Sequence, residues 1–333
     1  MTIRANNLII AGNVIDIPLL LAPMAGVTHS AFRRLVADFG GYGALFTEML
    51  SAPAVLRENL AVSPFTRRRT AEGAVFYQLA LVDSENIGPV MDKLATLNPY
   101  GIDINLGCAA PEIRKRGGGT ELFEDRDRLQ AVLAAARSRW EGLLTVKCRL
   151  GRRVPDWQER FDDRLRIIRE AGVDAVTVHP RFAEDKLTRK AQWSLFPGIV
   201  AEAGLPVIAN GDIVSAHEAK ALTGESRCSG CMIGRMAAVK PWIFREISRG
   251  PEAVDYREIW NRFYGYVAED FPPEKRIGRL KQFTAYFACN FFFGHELYRQ
   301  VQGSKDCATL RDRADRFLAG SPALVKEPSV TGI

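Results

Sequence analysis

Short β-branched runs alternate with longer amphipathic segments eight times over the first 250 residues of this 333-residue chain, and few folds accommodate so even a repeat. The strand-like runs are residues 17–24, 44–49, 75–81, 101–106, 143–149, 175–179, 206–210 and 230–234. Between them, 84–97 opens on Asp83-Ser84 as a capping signal, and 126–140 carries Leu129, Val132 and Leu133 at helical spacing. Residues 163–171 repeat the pattern with Leu165, Ile167 and Ile168, 215–222 are capped by Ser215, and Lys240-Pro241 starts a further helix. Eight strand–helix units predict an α/β fold, the (β/α)8 TIM barrel. An open doubly wound sheet is disfavoured, because no G-x-G-x-x-G follows the first strand. In such a barrel the C-terminal ends of the strands share one mouth, and chemistry is expected there.

After Gly250 the alternation stops. Residues 255–271, 274–301 and 308–318 read as helices with no strand between them, separated by Phe271-Pro272-Pro273 and Gly303-Ser304. The expected division is a barrel over 1–250 and a small helical-bundle domain over 251–333, fraying after Ser321. Phe283, Tyr286, Phe287, Phe291, Phe292 and Phe293 are read as bundle core in preference to a base-stacking surface, because their spacing is helical. With 47% hydrophobic and 25% charged residues the chain is neither disordered nor a coiled coil. Its six cysteines show no framework spacing, so a reducing cytoplasm is expected, and Cys228 and Cys231 are assigned to packing. Residues 1–12 lack a leader's cleavage site, and Asp16 interrupts the longest apolar run, so no membrane span is expected. His295-Glu296 lacks the second histidine of a zinc motif, and no metal is expected. The net charge of +6 favours an acidic partner without identifying one.

The strand ends are more specific. Strand one ends in Ala22-Pro23-Met24-Ala25-Gly26, a turn that exposes backbone to a ligand. Strand four ends in Asn105-Leu106-Gly107-Cys108, placing a thiol on the mouth loop, where packing and catalysis weigh evenly. In strand five, Lys147 and Arg149 share one side by period-two alternation, and an inward lysine needs an anionic or polar partner. His179 ends strand six, followed by Arg181. Strands seven and eight end in Asn210-Gly211-Asp212 and Gly234-Arg235, where barrels commonly build a phosphate site. Together these residues suit a flavin mononucleotide across the mouth, with Lys147 by the pyrimidine edge and Cys108 facing the substrate.

On these residues the chain resembles the tRNA-dihydrouridine synthase family over essentially its whole length. The matching pieces are Pro23-Met24-Ala25-Gly26-Val27-Thr28, Thr47-Glu48-Met49, Gln78-Leu79, Asn105-Leu106-Gly107-Cys108, Lys147 with Arg149, His179, Asn210-Gly211-Asp212 and Gly234-Arg235. The resemblance implies an FMN-binding barrel followed by a helical tRNA-binding domain, reducing the C5–C6 double bond of a uridine in tRNA with NADPH or NADH as reductant. It implies hydride transfer from flavin N5 to uracil C6 and protonation of C5 by Cys108, the catalytic acid. It assigns Pro23, Met24, Ala25, Gln78, Lys147, His179, Asn210, Gly211, Asp212, Gly234 and Arg235 to FMN, and Asn105, Arg149 and Arg181 to the substrate. The target base must leave its stack to enter the mouth.

The chain departs from the family pattern at His29, where aspartate is usual, at Ala109, where proline follows the cysteine, and over residues 181–192. Arg114, Lys115, Arg116, Arg149, Arg152, Arg153, Arg181, Lys186, Arg189 and Lys190 all follow strands four to six, as a basic rim for RNA would. Arg67-Arg68-Arg69 are left as solvated charge on the opposite face. The alternatives are a flavin barrel acting on a free pyrimidine and a non-catalytic tRNA-binding chaperone. A monomer is the default expectation.

Overall fold

The computed structural model describes residues 7–330. It opens with a hairpin of β1 (Leu8–Ile10) and β2 (Asn13–Ile15) that the alternation did not announce. Its signal was Ala11-Gly12, two residues at positive φ between apolar runs, the tight-turn arrangement of a two-residue hairpin. Next come β3 (Leu19–Leu21), β4 (Leu45–Phe46), β5 (Leu50–Ser51), β6 (Val75–Ala80), β7 (Gly101–Leu106), β8 (Leu143–Arg149), β9 (Ala175–His179), β10 (Val207–Asn210) and β11 (Gly230–Ile233). These nine form one parallel sheet, eight of them in the order β3-β11-β10-β9-β8-β7-β6-β4 and β5 beside β6. The parallel bridge between Leu20 and Ala44 closes the ring, giving the expected TIM-like barrel with helices outside.

Alternation along each strand sorts side chains into two environments. Leu79, Ile104, Val146 and Val178 face the helices and join one large core. Inside, the lower half of the barrel is apolar, with Phe46 stacked on Phe76 at 4.7 Å and the hairpin's Leu8, Ile10 and Ile15 sealing the bottom. The upper half carries polar side chains, so ligand chemistry is confined to the mouth.

Several boundaries moved for local reasons. The second strand splits into β4 and β5 because the Thr47 hydroxyl accepts the Gln78 N–H at 3.1 Å in place of a ladder bond. The helix expected at 84–97 is Ile87–Ala95, since the Asp83 carboxylate accepts the Glu85 N–H and forms a turn, not a cap. The helix expected at 163–171 begins earlier, at Trp157. Lys240-Pro241 instead separates two helices, Arg235–Val239 and Ile243–Arg249. The run 274–301 breaks into Pro273–Phe287 and Gly294–Gln302 around a tight turn, where Gly294 lies so close that a Cβ would sit 1.9 Å from the Ala288 carbonyl oxygen. That break divides the aromatic cluster: Phe283, Phe287 and Phe291 are core, whereas Phe292 and Phe293 are exposed.

The C-terminal helices Tyr256–Asp270, Pro273–Phe287, Gly294–Gln302 and Cys307–Ala319 continue the barrel's outer core, with Phe32 against Phe283 and His29 edge-on to Phe271. His29 is thereby a buried packing residue. The arginine triplet is not simply solvated charge. Arg67 and Arg69, with Arg34, converge on one buried Asp270 oxygen at 3.3, 2.7 and 3.4 Å, while Ser30 donates to the other at 2.6 Å. Nor does the described part of the tail fray. Leu324 bridges Phe291, Val325 N–H donates to the Asn290 carbonyl, and the buried Val330 carbonyl accepts from Arg235 at 3.0 Å. Residues 1–6 and 331–333, part of the leader and tail readings, lie outside the described residues.

Candidate active site

The residues assigned to flavin, to substrate and to the acid role all line one cleft at the mouth. Its floor rests on a hydrogen-bonded row set by strand register. Gln78, Asp103 and Thr145 are lateral neighbours on β6, β7 and β8, all buried inside the barrel. Thr145 Oγ1 donates to Asp103 Oδ1 at 2.7 Å and Gln78 Nε2 to Asp103 Oδ2 at 2.6 Å. Asn105, two residues nearer the mouth on the same face, donates Nδ2 to Gln78 Oε1 at 2.9 Å. Its Oδ1 accepts the Cys108 N–H at 2.9 Å and the Gly107 N–H at 3.3 Å. Burial raises the Asp103 carboxyl to about 6 despite the hydrogen bonds from Gln78 and Thr145. Sequence reasoning missed Asp103, although it shares the inward parity of Asn105.

Lys147 stands beside Asn105 in register and makes no ion pair among the described residues. Burial, and then the Arg149 charge, pull its ammonium down to about 8. Such an ammonium calls for an anionic or acceptor ligand in the cleft. Arg149 is steadied from the next loop, its Nη1 donating to the Phe182 and Asp185 carbonyls at 3.1 Å each.

The wall under strands six to eight is a charge network. Arg181 is 1% exposed, and its guanidinium meets Asp212 at 2.7 and 2.8 Å, His179 Nε2 at 2.6 Å and the Arg189 carbonyl at 2.6 Å. Arg181 is therefore in the wall and not on the rim. Burial and the surrounding cations hold His179 well below its usual pKa, so the neutral ring accepts from Arg181. Asp212, in the left-handed region at φ 55°, also takes the Ala191 N–H and Arg235. Gly211, at φ 114°, lets the backbone pass the histidine, where a Cβ would lie 2.7 Å from His179 Cδ2. Asn210 is fixed by donating to the Met232 carbonyl at 2.7 Å.

The Cys108 loop is seated from above by the glycine run. Gly119, at φ 59°, lies so near that a Cβ would fall 2.3 Å from the Cys108 carbonyl oxygen, which also accepts the Thr120 N–H. Ala109 stands where the family pattern has proline, and Pro111 starts a short helix, Pro111–Lys115, at a position that needs no N–H. Met49, Leu187, Ile213, Val214, Met236 and Val330 also line the cleft and were not singled out as ligand contacts. They are apolar, and only the fold brings them together.

The rim charges divide into two sets. Arg114 and Arg152 share Glu121, and Arg153 and Arg189 share Asp185, whereas exposed Lys115, Arg116, Lys186 and Lys190 have no ion pair among the described residues. Cys228 and Cys231 are buried free thiols, and burial pushes Cys228 up to about 12, consistent with packing. Among the described residues no cluster of three or more potential ligands suits a metal ion, and no helix is long and apolar enough to cross a membrane.

Comparison with known proteins follows the same residues. The sequence model of the family described as "Dihydrouridine synthase (Dus)" matches residues 20–290. A relative from Mycobacterium tuberculosis (strain ATCC 25618 / H37Rv), named "Probable tRNA-dihydrouridine synthase", is 30% identical over 93% of this chain and 88% of its own length. "tRNA-dihydrouridine synthase B" of Pseudomonas putida is 33% identical over 69% of this chain and 67% of its own. Among solved structures, the old yellow enzyme from Trypanosoma cruzi superposes with a TM-score of 0.56 over 80% of this chain and 96% of that one, at 9% identity, a likeness of fold.

Proposed function

Because the chain belongs to the dihydrouridine synthase family, we propose that it reduces the C5–C6 double bond of a uridine in tRNA on an FMN held across the barrel mouth, with NADPH or NADH as the reductant. The observation that carries this reading is the Lys147 ammonium, without an ion pair in a cleft that also presents Asn105, Arg149 and Cys108. The donor set suits FMN. Arg235 supplies a cation for the phosphate at one end, Pro23, Met24 and Ala25 a largely apolar wall, and Gln78 and Lys147 donors for the pyrimidine edge. His179, Asn210, Gly211, Asp212 and Gly234 complete the cradle. Bound flavin would supply the hydride for uracil C6.

The chain's own groups do the rest. Asn105 and Arg149 hold the uracil edge, and the fixed Arg149 fork needs no reorganisation when the base arrives. Cys108 gives its Sγ proton to C5, so one hydride and one proton saturate the double bond and the thiolate is reprotonated from solvent. The Lys147 charge stabilises negative charge near the ring system. Arg181, consumed by its own partners, shapes the wall through His179 and Asp212. Lys115, Arg116, Lys186 and Lys190 track phosphates while the target base is turned out of its stack, a task suited to a cytoplasmic protein.

The test is a visible spectrum of the purified protein and a map of dihydrouridine in tRNA from cells with and without the gene. Flavin bands with loss of dihydrouridine at a defined position are expected. Cys108→Ala should keep the flavin and lose reduction. A protein that binds no flavin, or that reduces free uracil but leaves tRNA untouched, would overturn the reading.

A further inference from the structure

We propose that Asp103 is a positioning residue, one that fixes the Cys108 loop through a relay of two side-chain amides without touching substrate or cofactor. Asp103 does not line the cleft; it lies beneath the floor, 0% exposed, with both carboxylate oxygens engaged. An amide side chain can be turned end for end with little change of shape, so only its partners decide which end points where. An ionised carboxylate accepts and never donates. Asp103 therefore draws Gln78 Nε2 downward at 2.6 Å, which turns Gln78 Oε1 toward Asn105. Asn105 answers with Nδ2 at 2.9 Å and is left with Oδ1 facing the loop, where it takes the N–H groups of Gly107 and Cys108. Every link has one donor and one acceptor, and reversing any one of them would set donor against donor or oxygen against oxygen.

Two features make this more than a satisfied buried carboxylate. The relay ends on the backbone N–H of the residue that carries the thiol, so an error at the floor is delivered to the acid. Register also places Asn105 directly beside Lys147, so the same amide sets the spacing between the thiol loop and the cation. Asp103 belongs to strand β7 like Asn105, one inward position lower, and rigid strand geometry transmits its grip.

This proposal rests on the tRNA reading only for its turnover test. In the flavin-loaded full chain, Asp103→Leu removes the acceptor and is expected to raise the rate of Cys108 alkylation by iodoacetamide, read on the Cys108 peptide by mass spectrometry, about tenfold. On tRNA the loss should fall in kcat, about tenfold, with KM near that of the parent. Asp103→Asn should recover both to within about twofold, because its Oδ1 still accepts from Gln78 and its amide can donate to the Thr145 hydroxyl. If Asp103→Leu does not fold, Asp103→Val removes the same acceptor with less bulk, leaves the flavin cradle intact and must give the same alkylation change. A folded Asp103→Leu with the parent's alkylation rate refutes the proposal, as does an Asp103→Asn impaired as badly as the leucine variant. If the parent itself fails to reduce tRNA, the functional reading falls while the alkylation result still judges the relay.

Discussion

Replacing Asp103 by asparagine should stabilise the protein at neutral pH and not in acid. The carboxyl titrates near 6 in the fold against 3.8 for a free aspartate, with burial the main cause and the Lys147 charge partly opposing it. A folded-state pKa above the unfolded one means the contribution is fully present below about pH 4 and is lost as the pH rises through about 6. A rise of that size corresponds to about 3 kcal/mol, of which about 2 kcal/mol falls between about pH 4.5 and 7. Asparagine carries no charge to bury and keeps both hydrogen bonds, so it escapes this loss. Thermal melts of parent and variant should separate progressively across that window, by roughly 3 °C in total for a chain of this size. Lys147 stays protonated across most of the window in the parent, its pKa being about 8. A separation that is flat across the window would show that the carboxyl does not titrate near 6 and that its burial is not costly. The expected result would mean the fold tolerates a destabilising charge beneath the floor of its cleft, which stability alone does not explain.

Other substitutions test other parts of the site. Gly119→Ala forces a Cβ to within 2.3 Å of the Cys108 carbonyl at a φ of 59°, and the displaced loop should lower kcat about 100-fold while the far-ultraviolet circular dichroism is unchanged. Arg235→Met should weaken FMN at least about tenfold in equilibrium dialysis and leave riboflavin, which lacks the phosphate, nearly unaffected; equal losses for both would remove Arg235 from the phosphate. Asp270→Ala leaves Arg34, Arg67 and Arg69 without their shared counter-charge and should cost about 3–5 kcal/mol in urea unfolding. Burial opposes ionisation of Asp270, but Ser30 and the arginines hold its carboxyl below the usual range, so its stabilisation is present above about pH 4 and lost as acid titrates it.

What could be read from the chain depended on how local each constraint was. Lys147 and Arg149 were legible because strand parity sends both inward, and the strand ends were legible because eight parallel staves share one mouth. Asp103 obeys the same parity but sits one layer below the ends, where residue spacing gives no reason to expect a polar chain. The Asp270 hub joins residues 240 positions apart at Ser30, so the arginine triplet looked like idle charge. The aromatic run after Phe283 has one continuous helical spacing on paper. Gly294 breaks it, and the need for glycine follows from the nearness of Ala288 rather than from any pattern in the run. His29 was legible as a departure, but only packing gives its effect: it meets Phe271 between barrel and helices.

The two ends of the described chain lie at opposite poles of the barrel. The hairpin at Leu8 seals the bottom, while Val330 reaches the cleft and touches Arg235. A bulky label placed at Val330 would stand in the cleft and crowd nucleic acid at its rim, whereas one placed at exposed Asn13 in the hairpin would leave the mouth clear. Immobilised binding measurements on this protein should therefore be anchored through the hairpin.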